Sequence, residues 1–153
     1  MVKVGMTAPA FSLSDENSNN VSLNDFKGKK VVLYFYPKDM TSGCTQEACD
    51  FRDAFPKFQK VKAKVFGISI DSVASHKKFS EKYNLPFTLL SDEGKKVVEK
   101  YGVWKEKSMY GRKYMGIERT TFIIDEEGKI LNIFPKVKVN GHVEEVIQSL
   151  KDN

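Results

Sequence analysis

The sequence predicts an α/β sandwich, with a mixed and mostly parallel β-sheet flanked by helices. Three observations predict it. Strand-like and helix-like patterns alternate along the chain. Residues 31–36 (VVLYFY) are apolar throughout, as in a strand covered on both faces. Near the C-terminal end, two strand-like segments flank Glu126-Glu127-Gly128, a hairpin signal that adds an antiparallel edge.

The elements follow in order. Residues 11–14 and 21–23 read as short strands around the turn-rich DENSNN segment, forming an N-terminal β extension. Residues 31–36 form the central strand, ended by Pro37. Residues 42–60 read as a helix, because Cys44, Ala48, Phe51, Phe55 and Phe58 recur at helical spacing. Pro56 kinks this helix or ends its first half. Residues 63–71 form a second buried strand, 73–83 an amphipathic helix, 88–91 a short strand and 95–101 a short helix. Residues 120–125 and 129–134 make the hairpin, and 141–151 close the chain as a helix with Val143, Val146, Ile147 and Leu150 on one side. The order β-β-β-α-β-α-β-α-β-β-α is that of a thioredoxin-like fold, and residues 1–153 read as a single domain of this kind.

Composition narrows the function. Hydrophobic residues make up 41% of the chain and charged residues 29%, an ordinary globular balance. The apolar runs are strand-sized, too short to cross a bilayer, so no membrane role is expected. The N-terminus has no apolar stretch of the secretory kind, which points to the cytoplasm. The net charge of +5 raises nucleic acid as a partner, but the lysines are dispersed and often adjoin acids, so none is expected. Two cysteines are fewer than a disulfide framework uses, and with His76 and His142 they lack the spacing of a zinc site. In a reducing compartment, catalysis or redox sensing is their usual purpose. Both histidines, lying at or near helix starts without a partner motif, are expected at the surface. Trp104, Tyr110 and Tyr114 are expected in an aromatic-rich loop packed on the core.

The informative stretch runs from Pro37 through Thr41 and Cys44 to Glu47 and Cys49, between the central strand and the long helix. In α/β sheets, functional groups gather at the carboxyl ends of strands. Cys44 falls in the first helical turn, with Thr41 or Ser42 as N-cap. The first-turn N–H groups lack intrahelical partners and the dipole there favours negative charge, so Cys44 is expected to be a thiolate. A thiolate attacks the O–O bond of a peroxide, giving a sulfenic acid that condenses with a second thiol. Cys49 is the available thiol, but at i, i+5 of an ideal helix the Cα atoms lie roughly 8.6 Å apart. A disulfide needs about 4.4–6.8 Å. The first turns of this helix are therefore expected to unwind when the two cysteines bond. From the residues alone, Cys44 also reads as a small buried hydrophobe.

The string Pro37-x-x-x-Thr41-x-x-Cys44 resembles the active-site signature of the peroxiredoxins. It is most similar to the bacterioferritin comigratory protein, or Q-type, subfamily, whose members typically place a resolving cysteine five residues after the peroxidatic one. The resemblance extends over the segments 5–11, 30–53, 69–71, 90–92, 101–103 and 118–125. It implies that Cys44 is the peroxidatic nucleophile and Cys49 the resolving thiol. It further implies that Thr41 hydrogen-bonds peroxide and thiolate, that Pro37 shields Cys44 from water, that Arg119 stabilises the reacting atoms and that Glu47 orients Arg119. Without the resemblance, Arg119 reads as a surface ion pair with Glu118 or Asp125, and Glu47 as a solvated helix residue. The implied activity is reduction of hydrogen peroxide and organic hydroperoxides, with thioredoxin or a similar dithiol as reductant. No metal, haem, flavin or nicotinamide is implied, and the subfamily suggests a monomer or weak dimer. Two other readings compete: a general thiol-disulfide oxidoreductase, which normally carries Cys-x-x-Cys rather than this spacing, and a non-enzymatic redox-sensing or nucleic-acid-binding module.

Overall fold

The computed structural model describes residues 2–152. Two short strands, β1 (Ser12–Asp15) and β2 (Asn20–Ser22), and a 3-10 turn over Leu23–Phe26 precede the central strand β3 (Lys30–Phe35). Helices α1 (Ser42–Asp53) and α2 (Phe55–Lys60), strand β4 (Ala63–Ser69), helix α3 (Val73–Tyr83), strand β5 (Thr88–Ser91) and helix α4 (Lys96–Lys100) follow. A hairpin, β6 (Trp104–Met109) and β7 (Arg112–Ile117), then leads to β8 (Thr120–Ile124), β9 (Ile130–Phe134) and α5 (His142–Lys151). The main sheet has the order β2-β1-β5-β4-β3-β8-β9. Strands β3, β4 and β5 are parallel, whereas β1, β2, β8 and β9 pair antiparallel with their neighbours. This is the mixed, helix-flanked sheet with an N-terminal β extension that the sequence predicts, but it is not mostly parallel: only the β3–β4 and β4–β5 pairings are parallel, because the N-terminal hairpin and the β8–β9 hairpin add antiparallel strands at both edges.

The central strand explains the missing alternation in VVLYFY. Val32, Tyr34 and Tyr36 enter one core, with Cys44, Ala48 and Phe51 of α1, Phe58 of α2, Phe79 of α3 and the apolar face of α5. Val31, Leu33 and Phe35 enter the other, with Val97 and Val98 of α4, Tyr101, Phe122 and the N-terminal Ala8 and Phe11. Both faces are covered, so every position is apolar.

The stretch 42–60 is two helices. Ala54, at φ −93° and ψ 2°, interrupts it, and Pro56 sits in the first turn of α2, where its missing N–H has no intrahelical acceptor to lose.

Two expectations are corrected. Residues 104–117 are not a loop packed on the core but the β6–β7 hairpin, paired from Trp104↔Ile117 to Met109↔Arg112. Its turn residues Tyr110 and Gly111 both have positive φ, 53° and 78°, as a two-residue type I′ turn requires. Lys, Glu and Arg on its strands erase the apolar alternation that would have revealed it, and Tyr110 is 98% exposed. His76 and His142, expected at the surface, are both fully buried. Each ring finds polar partners inside. His76 lies against Asp39 Oδ2 (2.7 Å) and the Leu90 carbonyl (3.0 Å). His142 lies against Thr121 Oγ1 (2.8 Å) and Glu145 Oε1 (3.2 Å). Burial of His142 pushes its pKa below the ordinary value, against the opposing pull of Glu145.

Candidate active site

The site lies where β3 gives way to α1, at the carboxyl end of the central strand. Pro37 ends the strand and Thr41 is the N-cap of α1, in extended conformation (φ −80°, ψ 155°). The Thr41 side chain does not cap the helix. Its hydroxyl donates to the Lys38 carbonyl at 2.8 Å, which leaves its lone pairs open. The first turn is closed instead by the backbone bond from Thr45 N to Thr41 O, 2.8 Å. Cys44 follows in this turn, and its thiol is buried.

Strand β8 brings the cation. Arg119, immediately before it, reaches back over the start of α1, with Nη2 donating to Cys44 Sγ at 3.2 Å and Nη1 to Glu47 Oε1 at 2.6 Å. One rigid guanidinium fork thus joins two residues one helical turn apart, a geometry a lysine lacks. Glu47 is fully buried, so it is not a solvated helix residue, and Arg119 pairs with it rather than with Glu118 or Asp125. Burial pushes the Glu47 carboxyl up to about 7, Arg119 opposing. Burial alone would lower the Arg119 pKa, but Glu47 and Cys44 hold it above its ordinary value. Glu47 Oε2 and the Tyr34 hydroxyl are buried without a hydrogen-bond partner among the described residues.

Cys49 stands apart. Both cysteines are free thiols within the continuous helix α1, and five helical residues separate their Cα atoms by roughly 8.6 Å. Cys49 is only partly buried, and its thiol is pushed up by desolvation and by Asp53 and Asp50, with Arg52 opposing. Cys44 has a guanidinium on its sulfur, whereas around Cys49 the charge of Arg52 is opposed by Asp53 and Asp50.

Two contributors escaped the sequence reading. A Cβ on Gly43 would stand 3.3 Å from Arg119 Nη2, so the absence of a side chain there clears the guanidinium's approach to Cys44. Lys107, carried in by the β6–β7 hairpin, sits in the field of both Arg119 and Cys44. Desolvation and Arg119 push its pKa down, while Cys44 and Glu118 pull it up. Gly43 is visible within the motif, but nothing in the sequence links it to residue 119, and Lys107 has no local signal at all. Among the described residues, no helix is long and apolar enough to cross a membrane.

Comparison with known proteins gives the family. The AhpC/TSA family model matches residues 4–133. A putative peroxiredoxin Bcp of Coxiella burnetii is 57% identical over 149 residues, covering 97% of this chain and 99% of the relative. Peroxiredoxin Bcp of Bacillus subtilis is 52% identical over 151 residues, covering 99% and 96%. Among solved structures, Xanthomonas campestris peroxiredoxin Q superposes with a TM-score of 0.92 at 39% identity, covering 100% of this chain and 97% of that one. A cysteine variant of Xylella fastidiosa PrxQ superposes with a TM-score of 0.94 at 38% identity, covering 99% and 97%. These similarities span the strand, loop and helix that carry Cys44 as well as the strand that carries Arg119, and the chain belongs to the AhpC/TSA family, among its Bcp and PrxQ peroxiredoxins.

Proposed function

We propose that the protein reduces hydrogen peroxide and organic hydroperoxides, with Cys44 as nucleophile and Cys49 as resolving thiol. The observation that carries this reading is the Arg119 fork, which binds Cys44 Sγ and buried Glu47 at once. The Cys44 thiolate attacks the distal peroxide oxygen and the O–O bond breaks. The electron pair leaves with water or alcohol once a proton is taken up, and Cys44 becomes a sulfenic acid. Arg119 offers hydrogen-bond donors where charge grows on the departing oxygen. Thr41, whose own proton is committed to Lys38, accepts from the hydroperoxide O–H. Pro37 walls the loop side of the thiol. Glu47 holds the guanidinium in register. Cys49 then attacks the sulfenic sulfur, water leaves and the Cys44–Cys49 disulfide forms. The first turns of α1 unwind for this step, since the intact helix keeps the two Cα atoms too far apart.

Thioredoxin or a similar dithiol restores the thiols by exchange. The same reading takes the chain as one domain acting as a monomer or weak dimer in the cytoplasm, where unpaired thiols stay reduced. The test is intact mass spectrometry after one equivalent of peroxide. Wild type loses two hydrogens and Cys49→Ser gains one oxygen on Cys44. Wild type that stays reduced, or that gains oxygen without forming the bond, sinks the assignment.

A further inference from the structure

The loop ahead of Cys44 is also held by α3, which packs on the same face of the sheet as α1. Asp39, in the middle of this loop, is a buried residue only 5% exposed. Three side chains converge on its carboxyl group. The Tyr36 hydroxyl donates to Oδ1 at 2.6 Å, the Ser75 hydroxyl donates to Oδ2 at 2.7 Å, and His76 Nδ1 lies 2.7 Å from Oδ2. Its backbone N–H donates to Asp71 Oδ2 at 2.9 Å, and that oxygen also receives the Ser69 hydroxyl at 2.7 Å. The far nitrogen of His76 faces the Leu90 carbonyl at 3.0 Å. A carbonyl only accepts, so Nε2 carries a proton, and the ring and the Asp39 carboxyl hold a second one between them.

Asp39, Asp71 and His76 bring ligand atoms within 4.8 Å of one another, close enough to suggest a cation. The atoms that face each other are already joined by hydrogen bonds, and the chain's own donors satisfy them. Both Asp39 and His76 are nearly or fully buried, and neither has a part in the peroxide chemistry described above.

The position of this cluster gives it a purpose. The next residue, Met40, is left-handed (φ 66°) although it is not glycine and its side chain is 43% exposed. Such a conformation persists only where its neighbours enforce it. Downstream, α1 is anchored again at Phe51, fully buried and stacked 4.5 Å from Tyr34, and at Arg52, whose Nη1 donates to the Tyr83 carbonyl at 2.9 Å. Between these anchors, residues 40–50 contain both cysteines.

We propose that Asp39 and His76 form a tether that keeps the loop ahead of Cys44 on the core while α1 opens, and so set the upstream boundary of the segment that unwinds. They are positioning residues, acting on Thr41 and Cys44 through the loop backbone. The inference rests on the reading that Cys44 and Cys49 form a disulfide. With the tether intact, the peroxide-reactive geometry is re-formed after each opening. Without it, the reactive geometry is less populated but the open form is no harder to reach.

The experiment separates the two chemical steps by stopped-flow fluorescence of Trp104, the single tryptophan, in wild type, Asp39→Asn, His76→Leu and the double variant. The peroxide step is expected to slow by about tenfold or more, toward the roughly hundredfold that a 1 Å misplacement costs, while disulfide formation stays as fast or quickens. The double variant is expected to be no slower than the slower single one, because the two residues act as a unit. An unchanged peroxide step, an equal slowing of both steps, or additive losses overturns the proposal. Nitrogen-15 NMR of the His76 ring in wild type needs no variant to fold. A slowly exchanging proton between Nδ1 and Asp39 is expected in both the reduced and the disulfide forms, and its loss on oxidation overturns the tether. Mass measured on the same oxidised sample shows whether the disulfide itself formed, which keeps failure of the tether distinct from failure of the cysteine assignment.

Discussion

Replacing Arg119 with lysine probes the fork most directly. Wild-type Arg119 spends Nη2 on Cys44 Sγ (3.2 Å) and Nη1 on Glu47 Oε1 (2.6 Å), with its side chain 16% exposed and that of Glu47 0% exposed. A lysine ammonium is a single point and cannot span both groups from one rotamer. Left beside Glu47 it keeps the buried charge paired, so the fold survives, but Cys44 loses its donor. A hydrogen bond to a charged group contributes about 1.5–3 kcal/mol. If that contribution is realised in the transition state, the peroxide step slows about 10- to 150-fold. Single-turnover oxidation with hydrogen peroxide, followed by Trp104 fluorescence, gives the second-order rate directly, and a thermal melt confirms that the variant is folded. A folded Arg119→Lys protein that reacts at the wild-type rate refutes the role given to the fork. Arg119→Met goes further and leaves Glu47 buried without a cation, which costs about 3–5 kcal/mol unless the carboxyl takes up a proton.

Two further outcomes follow from the same geometry. Glu47 keeps its proton up to about pH 7 in the fold, against an ordinary value of 4.5, so stability falls as pH rises between these values while the carboxylate that binds Arg119 appears. The wild-type peroxide rate should therefore climb through pH 7, and Glu47→Gln should flatten both that profile and the pH dependence of the melting temperature; a Gln variant with an unchanged inflection removes Glu47 from the mechanism. Gly67→Ala would place a Cβ 2.8 Å from the Tyr34 ring carbon and hydroxyl and 2.9 Å from Leu89 Cδ2, so chemical denaturation should show a loss of about 1–3 kcal/mol from overpacking.

Much of the fold is written in local patterns. The covered strand β3, the apolar stripe of α1 and the β8–β9 hairpin each rest on side-chain periodicity, which a single segment carries by itself. So does the break at Ala54, because a proline cannot donate the helical bond that residue 56 would owe. Element ends differ by a residue or so, as at β1, expected over 11–14 and found over Ser12–Asp15. The β6–β7 hairpin was illegible for a definite reason. Its strands bury almost nothing, so backbone pairing and a Tyr110-Gly111 turn hold it together without a hydrophobic pattern. The burial of His76 and His142 was illegible because a histidine enters a core only where partners wait. Those partners, Asp39 and Leu90 in one case and Thr121 in the other, lie 14 to 37 residues away in sequence.

The sequence by itself determined the two thiols, their spacing and their place in one helix at the end of a central strand. Helical geometry then requires that they be apart when the helix is whole. Which groups touch Cys44 is a different kind of fact. Arg119 lies 75 residues beyond it, and the antiparallel pairing of β8 with β3 delivers it to the start of α1. Asp39 and His76 are 37 residues apart and meet because the parallel β3–β4 pairing sets α3 beside the loop after β3. Spacing along a helix is local and can be read from a string, whereas contacts across a sheet depend on strand order, and only the assembled fold decides that.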